Sequence, residues 1–513
     1  MKLLFTPFFL LLFCISPSHA SSWEWAKSMA GTNGDFGNSI AVDANGNSYV
    51  TGSFSSDTLK LDSLTYITTS TLFPITTQQI FLAKYDAVGN MIWAKGSQSS
   101  FISEGLDVAV AADGSVYVTG YFYCDTLRFD SITLVNSSSG INADIFIVKY
   151  SNTGNVLWAK SAGGAIDDIA TSIAVASDGS VFVTGCFRSS TLTFNNGTNL
   201  VKVGVSNIFL AKYDYSGNLL WAKKGSGDCG SQTFLSISNQ YSLALDASDN
   251  IYIAGCFFSP TFDFDGTLIS NAFSNNTSDN YMAKYDSQGN VLWAKSQGLF
   301  GNNLFADIAV EASGAYHILA GGGVLTKYDV SGNLISTLLL SYSSFGICVD
   351  LSGNLYSGSN RFSKYDNLGN ETILDSLVST SSWSNDIATD NNGNVFSTGE
   401  FLSPTYIGNY YFVPIGAANV YVAKLSTTLS VNENPRDPTT IRVYPNPNRG
   451  EINISSKEYI SNITITNLLG QIIYQARPNE RDIFLHLELE GIYFVSITTK
   501  NKVLTQKIVV DSN

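Results

Sequence analysis

Nine side chains stand out as groups that could meet a ligand: Asp35, Glu104, Asp107, Asp167, Asp168, Asp228, Asp307, Trp383 and Asp386. They sit in irregular stretches between repeated phrases, with Phe36, Phe101 and Phe300 among them. Carboxylates mixed with aromatic rings around one depression could hold a cation or a sugar. Paired carboxylates could also cleave a glycosidic bond without a histidine. The plainer role of such groups is turn capping and solvated loop polarity. The nine are therefore ligand-face candidates, and no catalytic residue is assigned.

Other reactive chemistry is thin. Of three histidines, His19 falls in an expected leader, His486 lies near the C-terminus, and His317 occupies a column otherwise filled by Tyr49, Tyr117, Phe182, Tyr252, Tyr356 and Phe396. A ring filling an aromatic core slot accounts for His317. One histidine in the body of the chain disfavours a Ser-His-Asp triad, and no Gly-x-Ser-x-Gly stretch occurs. Five of the six cysteines follow the leader, an odd number, so at least one thiol is free unless pairing is intermolecular. Cys186 and Cys256 share one column, Cys348 replaces an alanine, and a disulfide among 186, 229 and 256 stays open. There is no Cys-x-x-Cys spacing. The stretch from Asp43 to Asn47 has oxygen ligands in the manner of a calcium loop, but it lacks a distal bidentate Glu and its copies lose ligands, which favours a hairpin turn. No metal and no cofactor is assigned.

The elements that must position these groups are read from repeats. Ile40-Ala-Val-Asp-Ala-Asn-Gly-Asn-Ser-Tyr-Val-Thr-Gly52 returns at Val108, Ile173, Leu243, Ile308, Ile347 and Ile387. Each copy reads apolar-small-apolar, then a Gly or Asp turn, then a second apolar run, which is a β-hairpin. A second phrase follows, as in Lys84-Tyr85-Asp86, and a Gly-Asn turn leads to Met91-Ile-Trp-Ala-Lys95. The Trp recurs at Trp158, Trp221 and Trp293, and is replaced in units five and six. Seven four-stranded units in tandem predict an all-β seven-bladed propeller over 21–425. The last unit lacks a fourth strand, and Trp23-Glu-Trp-Ala-Lys27 at the chain start is expected to supply it. Units one to four and seven carry insertions between strands two and three, read as extra ribbons that decorate one face.

Residues 1–20 read as a secretory leader, with Lys2, an apolar run from Leu3 to Ile15, and Ser18-His19-Ala20 as the cleavage signal. Phe13 before Cys14 disfavours lipidation. Residues 426–440 are polar with two prolines and read as a linker. The alternating runs across 441–513 predict a small Ig-like β-sandwich. The chain is 44% hydrophobic, 14% charged and carries a net charge of -14. An acidic, exported protein is a poor partner for nucleic acid. No stretch after the leader is long enough and apolar enough to span a bilayer as a helix. A monomer is expected.

The alternation of the Ile40–Gly52 phrase with Ala-Lys-Tyr-Asp-x-x-Gly-Asn-x-x-Trp-Ala-Lys resembles the bacterial SBBP β-propeller repeat family, over roughly 23–425. That resemblance implies a fold and no single activity. The tail resembles the type A sorting domain of the type IX secretion system of Bacteroidetes-type bacteria. The matching residues are Tyr444-Pro445-Asn446-Pro447 with Gly450, then Asn467-Leu-Leu-Gly470, Gly491-Ile-Tyr493-Phe, and Lys507 near the end. It implies Sec export, a partnership between residues 441–513 and the secretion machinery, and release or attachment at the cell surface. The expected function is a secreted or surface-displayed, non-catalytic binding or adhesion module for an extracellular glycan or protein. The alternative is a glycan hydrolase or lyase using carboxylates of the decorated face.

Overall fold

A computed structural model of the chain describes residues 22–427 and 442–510, apart from 62–65, 69–77, 141, 230–240, 274–276, 299–304, 321–322, 341–343, 367, 380, 445–449, 468–469, 488–490 and 501–502. The expected leader, the linker beyond residue 427 and the sorting residues Pro445, Asn446 and Pro447 lie outside the described residues. Contacts divide the chain into a unit spanning Ser21–Thr428 and a C-terminal unit covering Leu429–Asn513.

The larger unit is a succession of four-stranded antiparallel meanders. The first comprises Asp35–Val42, Ser48–Phe54, Gln79–Tyr85 and Met91–Gly96. Six more follow in order, their innermost strands being Ser103–Val110, Asp168–Val175, Tyr241–Leu245, Phe305–Val310, Gly346–Val349 and Ser382–Thr389. Burial explains the loss of simple alternation. Every residue of Ser48–Phe54 and of Gln79–Tyr85 is buried, because neighbouring blades cover both faces. The outermost Met91–Gly96 is only partly covered.

The seventh meander takes its outer strand from the chain start. Ser22–Met29 pairs antiparallel with Asn419–Ser426, with Trp25 opposite Lys424 and Met29 opposite Val420. Ring closure by the N-terminal strand is thus seen directly.

One set of contacts explains the Lys-Tyr and Trp-Ala-Lys motifs together. The indole N–H of Trp93 and the ammonium of Lys84 both donate to the Asn152 carbonyl in the next blade's outer turn, at 3.0 and 3.4 Å. Trp158 and Lys149 do the same to Tyr215, each at 3.1 Å. Trp25 and Lys424 do it to Ala87 across the closure, at 3.1 and 3.4 Å. The lysines also lie over the aromatic column, with Lys84 4.9 Å from the Tyr49 ring centre and Lys149 5.0 Å from that of Tyr117. The turn itself must be Gly89: its φ is +84° and a Cβ there would strike the Trp25 ring.

The five insertions form hairpins, as in Thr126–Phe129 with Ile132–Val135. Each reaches back to the preceding blade's outer edge. Ala162 pairs with Phe194, Gly225 with Phe264, Leu377 with Ile407, Ser99 with Leu127, and Ala30 with Lys60. They are clasps as well as decoration.

The C-terminal unit is also all-β, but its order of elements differs from the expected short runs. Glu451–Asn467 is one 17-residue strand. Its first half pairs with Arg442–Tyr444 and Glu480–His486, its second half with Ile472–Ala476 and Gly491–Thr499. The register shifts between Ser455 and Ile460 mark the corner where the strand passes from one layer to the other. Ile452, Ile454, Ile463, Ile465, Val495, Ile497 and Ile508 fill the space between. Gly450, at φ +92°, faces His486, while Gly470 and Gly491 also take positive φ and Tyr493 is buried. Lys507 lies in the last strand, Val503–Val510.

Candidate functional site

The innermost strands carry a recurrent bulge that sets the geometry of the axis. Gly105 pairs with Gly120 and Asp107 with Thr119, which leaves Leu106 as an extra residue. Asn38, Thr171 and Asn385 are the extra residues of units one, three and seven. A bulge turns the chain locally, so these residues face the axis rather than a neighbouring blade. The opposing glycine is obligatory. A Cβ on Gly52 would strike the Phe36 carbonyl oxygen, and one on Gly120 that of Glu104. The preceding Thr of the motif is also spoken for, as Thr51 and Thr119 each donate at 2.8 Å to carbonyls of the third strand.

The position before the first apolar residue of each copy forms one column, polar in six of seven units: Ser39, Asp107, Ser172, Ser242, Asp307 and Asp386, with Gly346 in unit six. It forms a hydrogen-bonded belt. Ser39 Oγ lies 2.8 Å from both Asp107 Oδ1 and Asp386 Oδ2. Asp107 Oδ2 accepts from Ser172 Oγ at 2.9 Å and from the Ile173 amide at 2.8 Å. Asp307 accepts from Ser242 Oγ at 2.9 Å and from the Ile347 amide at 3.0 Å. Each link crosses from one blade to another. Burial pushes the carboxyl of Asp107 up, that of Asp307 to about 7, and that of Asp386 well above the usual range, with the other belt carboxylates adding repulsion at Asp307 and Asp386.

The structure moves most candidates out of the connectors where the sequence reading put them. Asp35, Glu104, Asp107, Asp168, Asp307, Trp383 and Asp386 all lie within first strands. Asp35 and Asp168 are fully buried at strand starts. Asp35 accepts from Ser56 Oγ at 2.9 Å, and Asp168 from the Arg188 and Ser189 amides at 3.0 and 3.1 Å, so both staple the loop after strand two. Burial raises them to about 6 and about 7. Only Asp167 and Asp228 sit outside strands: Asp167 accepts from the Ala143 amide at 2.9 Å and Asp228 from Ser206 Oγ at 2.9 Å. The nine thus divide into blade braces and an axial group.

The axial group opens at a cavity of about 70 Å³ lined by Asn38, Leu106, Thr171, Tyr241, Phe345, Asn385 and the belt residues beneath them. Units one and seven make its polar side. Asn38 Nδ2 donates to Glu104 Oε1 at 2.9 Å, and Tyr121 Oη donates to Glu104 Oε2 at 2.6 Å. Asn385 Nδ2 donates to Glu400 Oε2 at 2.5 Å, and Trp383 also bonds Glu400. Burial, with Glu104 nearby, lifts Glu400 to about 7. Sequence reading missed Glu400, Tyr121, Asn38 and Asn385. The available signal was the residue after the motif glycine, which varies as Ser53, Tyr121, Cys186, Cys256 and Glu400 while its neighbours repeat.

Among the described residues no group of three or more His, Cys, Asp or Glu side chains is placed to hold a metal. None of Cys124, Cys186, Cys229, Cys256 and Cys348 is in a disulfide. His317 is buried in its column as expected, and in addition contacts Glu311 Oε1 at 2.8 Å, which Lys327 also holds at 2.7 Å. No described helix is long and apolar enough to cross a membrane.

Comparison with known proteins gives two family matches. Residues 442–511 match the family described as secretion system C-terminal sorting domain, and residues 24–53 match that described as beta-propeller repeat. An uncharacterized WD repeat-containing protein of Acanthamoeba polyphaga mimivirus is 27% identical over 452 residues, covering 76% of this chain and 31% of that protein. The regulatory protein FlaEY of Caulobacter vibrioides is 33% identical over 110 residues, 21% of this chain and 12% of that protein. The chain therefore spans less than a third of the length of either relative. Among solved structures, the Dos1 propeller aligns with a TM-score of 0.38 at 11% identity, over 79% of this chain and 95% of that one. The Pan2 WD40 domain of Neurospora crassa aligns with a TM-score of 0.40 at 9% identity, over 77% and 91%.

Proposed function

We infer that this secreted β-propeller, with its type IX C-terminal sorting domain, is a binding or adhesion module that holds an extracellular glycan or protein at the axial mouth without transforming it. The sorting domain indicates export to the cell surface or the extracellular space. The observation that carries the binding reading is the employment of the carboxylates. Asp107, Asp307 and Asp386 spend their oxygens on hydrogen bonds between blades, so they build the ring rather than await a substrate. Above them, Asn38, Thr171 and Asn385 offer amide and hydroxyl groups beside Leu106, Tyr241 and Phe345, a mixture suited to a sugar or a polar peptide.

One observation favours a second reading. Glu400, lifted to about 7 by burial, stands near Glu104, and a protonated carboxyl beside a second carboxylate is the acid–base pair of a glycan hydrolase. A glycan array run with a reducing-end release assay on the secreted chain separates the two. Binding that is weakened by Asn385→Ala, without release of reducing ends, supports the module. Turnover abolished by Glu400→Gln establishes the enzyme instead.

A further inference from the structure

The outer strands of the blades are sheet edges, and an unguarded edge is a template for another strand. Six of the seven carry a charged side chain: Lys95, Lys160, Lys223, Lys295, Asp375 and Glu24 are examples, one from each. The exception is Leu334-Ile-Ser-Thr-Leu-Leu339 of unit five, which has neither charge nor proline. Like unit six, it also lacks the Trp that in the other units marks the outer strand. Among the described residues no clasp reaches it, and unit six has no insertion to supply one; its sheet ends there with order Phe305–Val310, Tyr316–Ala320, Val324–Tyr328, Leu334–Leu339. Its side chains are open to solvent, with Leu334 49%, Ile335 56% and Leu339 71% exposed.

We propose that this edge pairs antiparallel with the same edge of a second copy, joining two four-stranded sheets into one of eight across a two-fold axis centred on Ser336. The occupant follows from what the edge presents. A strand with apolar ends and a Ser-Thr centre is complementary to itself when reversed, since Leu334 of one copy meets Leu338 of the other and Ser336 meets Ser336. A chain of net charge -14 repels its copies nearly everywhere else, and this edge is the outer strand without a charge to oppose the approach. The pairing departs from the monomer expected on sequence. A single six-residue strand pair is a small interface, so dissociation constants on the order of 10–100 μM are expected, tightening with salt as the general repulsion is screened.

Sedimentation velocity of the secreted chain from about 1 to 200 μM, at low and high salt, tests this. A twofold rise in apparent mass is expected, stronger at high salt. It should be lost in Ile335→Lys with Leu339→Lys, and kept in Leu220→Lys, an equally exposed outer-strand site of unit three. A cysteine introduced as Ser336→Cys should form a dimer that only a reductant separates. A monomer throughout, an association that the double substitution leaves intact, or a capture of some other strand with no self-association overturns the proposal.

Discussion

Ser39 in the first blade and Asp386 in the seventh, 347 positions apart, share a hydrogen bond of 2.8 Å, and the Ile40 amide adds a second to the same carboxylate at 2.9 Å. The ring is thus fastened at its axis by the belt and at its rim by the chain's first strand.

Removal of residues 22–29 should therefore undo more than one strand. It exposes the edge of Asn419–Ser426 and takes away the Trp25 indole that holds the Ala87 carbonyl. The expected result is loss of a single cooperative thermal transition, read by calorimetry; an unchanged transition would show that the rim closure contributes nothing.

Buried carboxyls, in the belt and outside it, give stability an unusual dependence on pH. Asp307, Asp168 and Glu400 are raised to about 7 and Asp35 and Asp144 to about 6, all by burial. The folded chain keeps protons that an unfolded one releases above about pH 4, so this stabilisation is full below that and falls as pH rises through 6 and 7. Asp329 and Asp366 act oppositely: hydrogen bonds from Asn333 and Asn370 lower them, and their contribution is lost as pH falls. Melting temperatures should peak near about pH 4–5 and decline toward pH 8. Asp386→Asn, which keeps an acceptor without the charge, should flatten the decline; a melting temperature that climbs from pH 5 to 8 would refute the account.

Gly120→Ala should be costly out of proportion to its size. The added methyl would meet the Glu104 carbonyl oxygen and flatten the bulge that points Leu106 and Asp107 at the axis. A loss of about 1–3 kcal/mol is expected from chemical denaturation.

Trp158→Phe removes the donor to the Tyr215 carbonyl and one ring's worth of packing and should cost about 1–2 kcal/mol, whereas Trp158→Ala empties the whole space against Gly217 and should cost about 3–5 kcal/mol. Equal losses in urea titrations would mean that the shared carbonyl, not packing, explains the motif.

Deletion of residues 442–513 should leave the propeller in the periplasm. Fractionation followed by immunoblot checks this, and undiminished export would break the link between the tail and secretion.

The ring was legible because its parts repeat: Tyr49, Tyr117 and Tyr252 share a column, and so do Trp93 and Trp158. The axial group was not, for a definite physical reason. Strand patterns are read with a period of two, and one bulged residue reverses which face every later side chain takes. Asp107 and Asp386 follow such bulges, so a reading without them places these carboxylates in connectors. Glu400 was hidden differently: the variation of its column after the motif glycine marks the position, but its burial shows only when Asn385 and Trp383 are seen against it. In the tail, the unbroken Glu451–Asn467 strand concealed its own corner.

A clasp of chain start to chain end also has a cost in time. The segment Ser22–Met29 is made and exported early, yet its partner Asn419–Ser426 arrives almost 400 residues later. Until then the first blades fold with an open seam, and pairing across so great a sequence distance is slow. The sorting domain follows that partner strand directly, so the address that sends the molecule outward emerges only after the last piece needed to seal it.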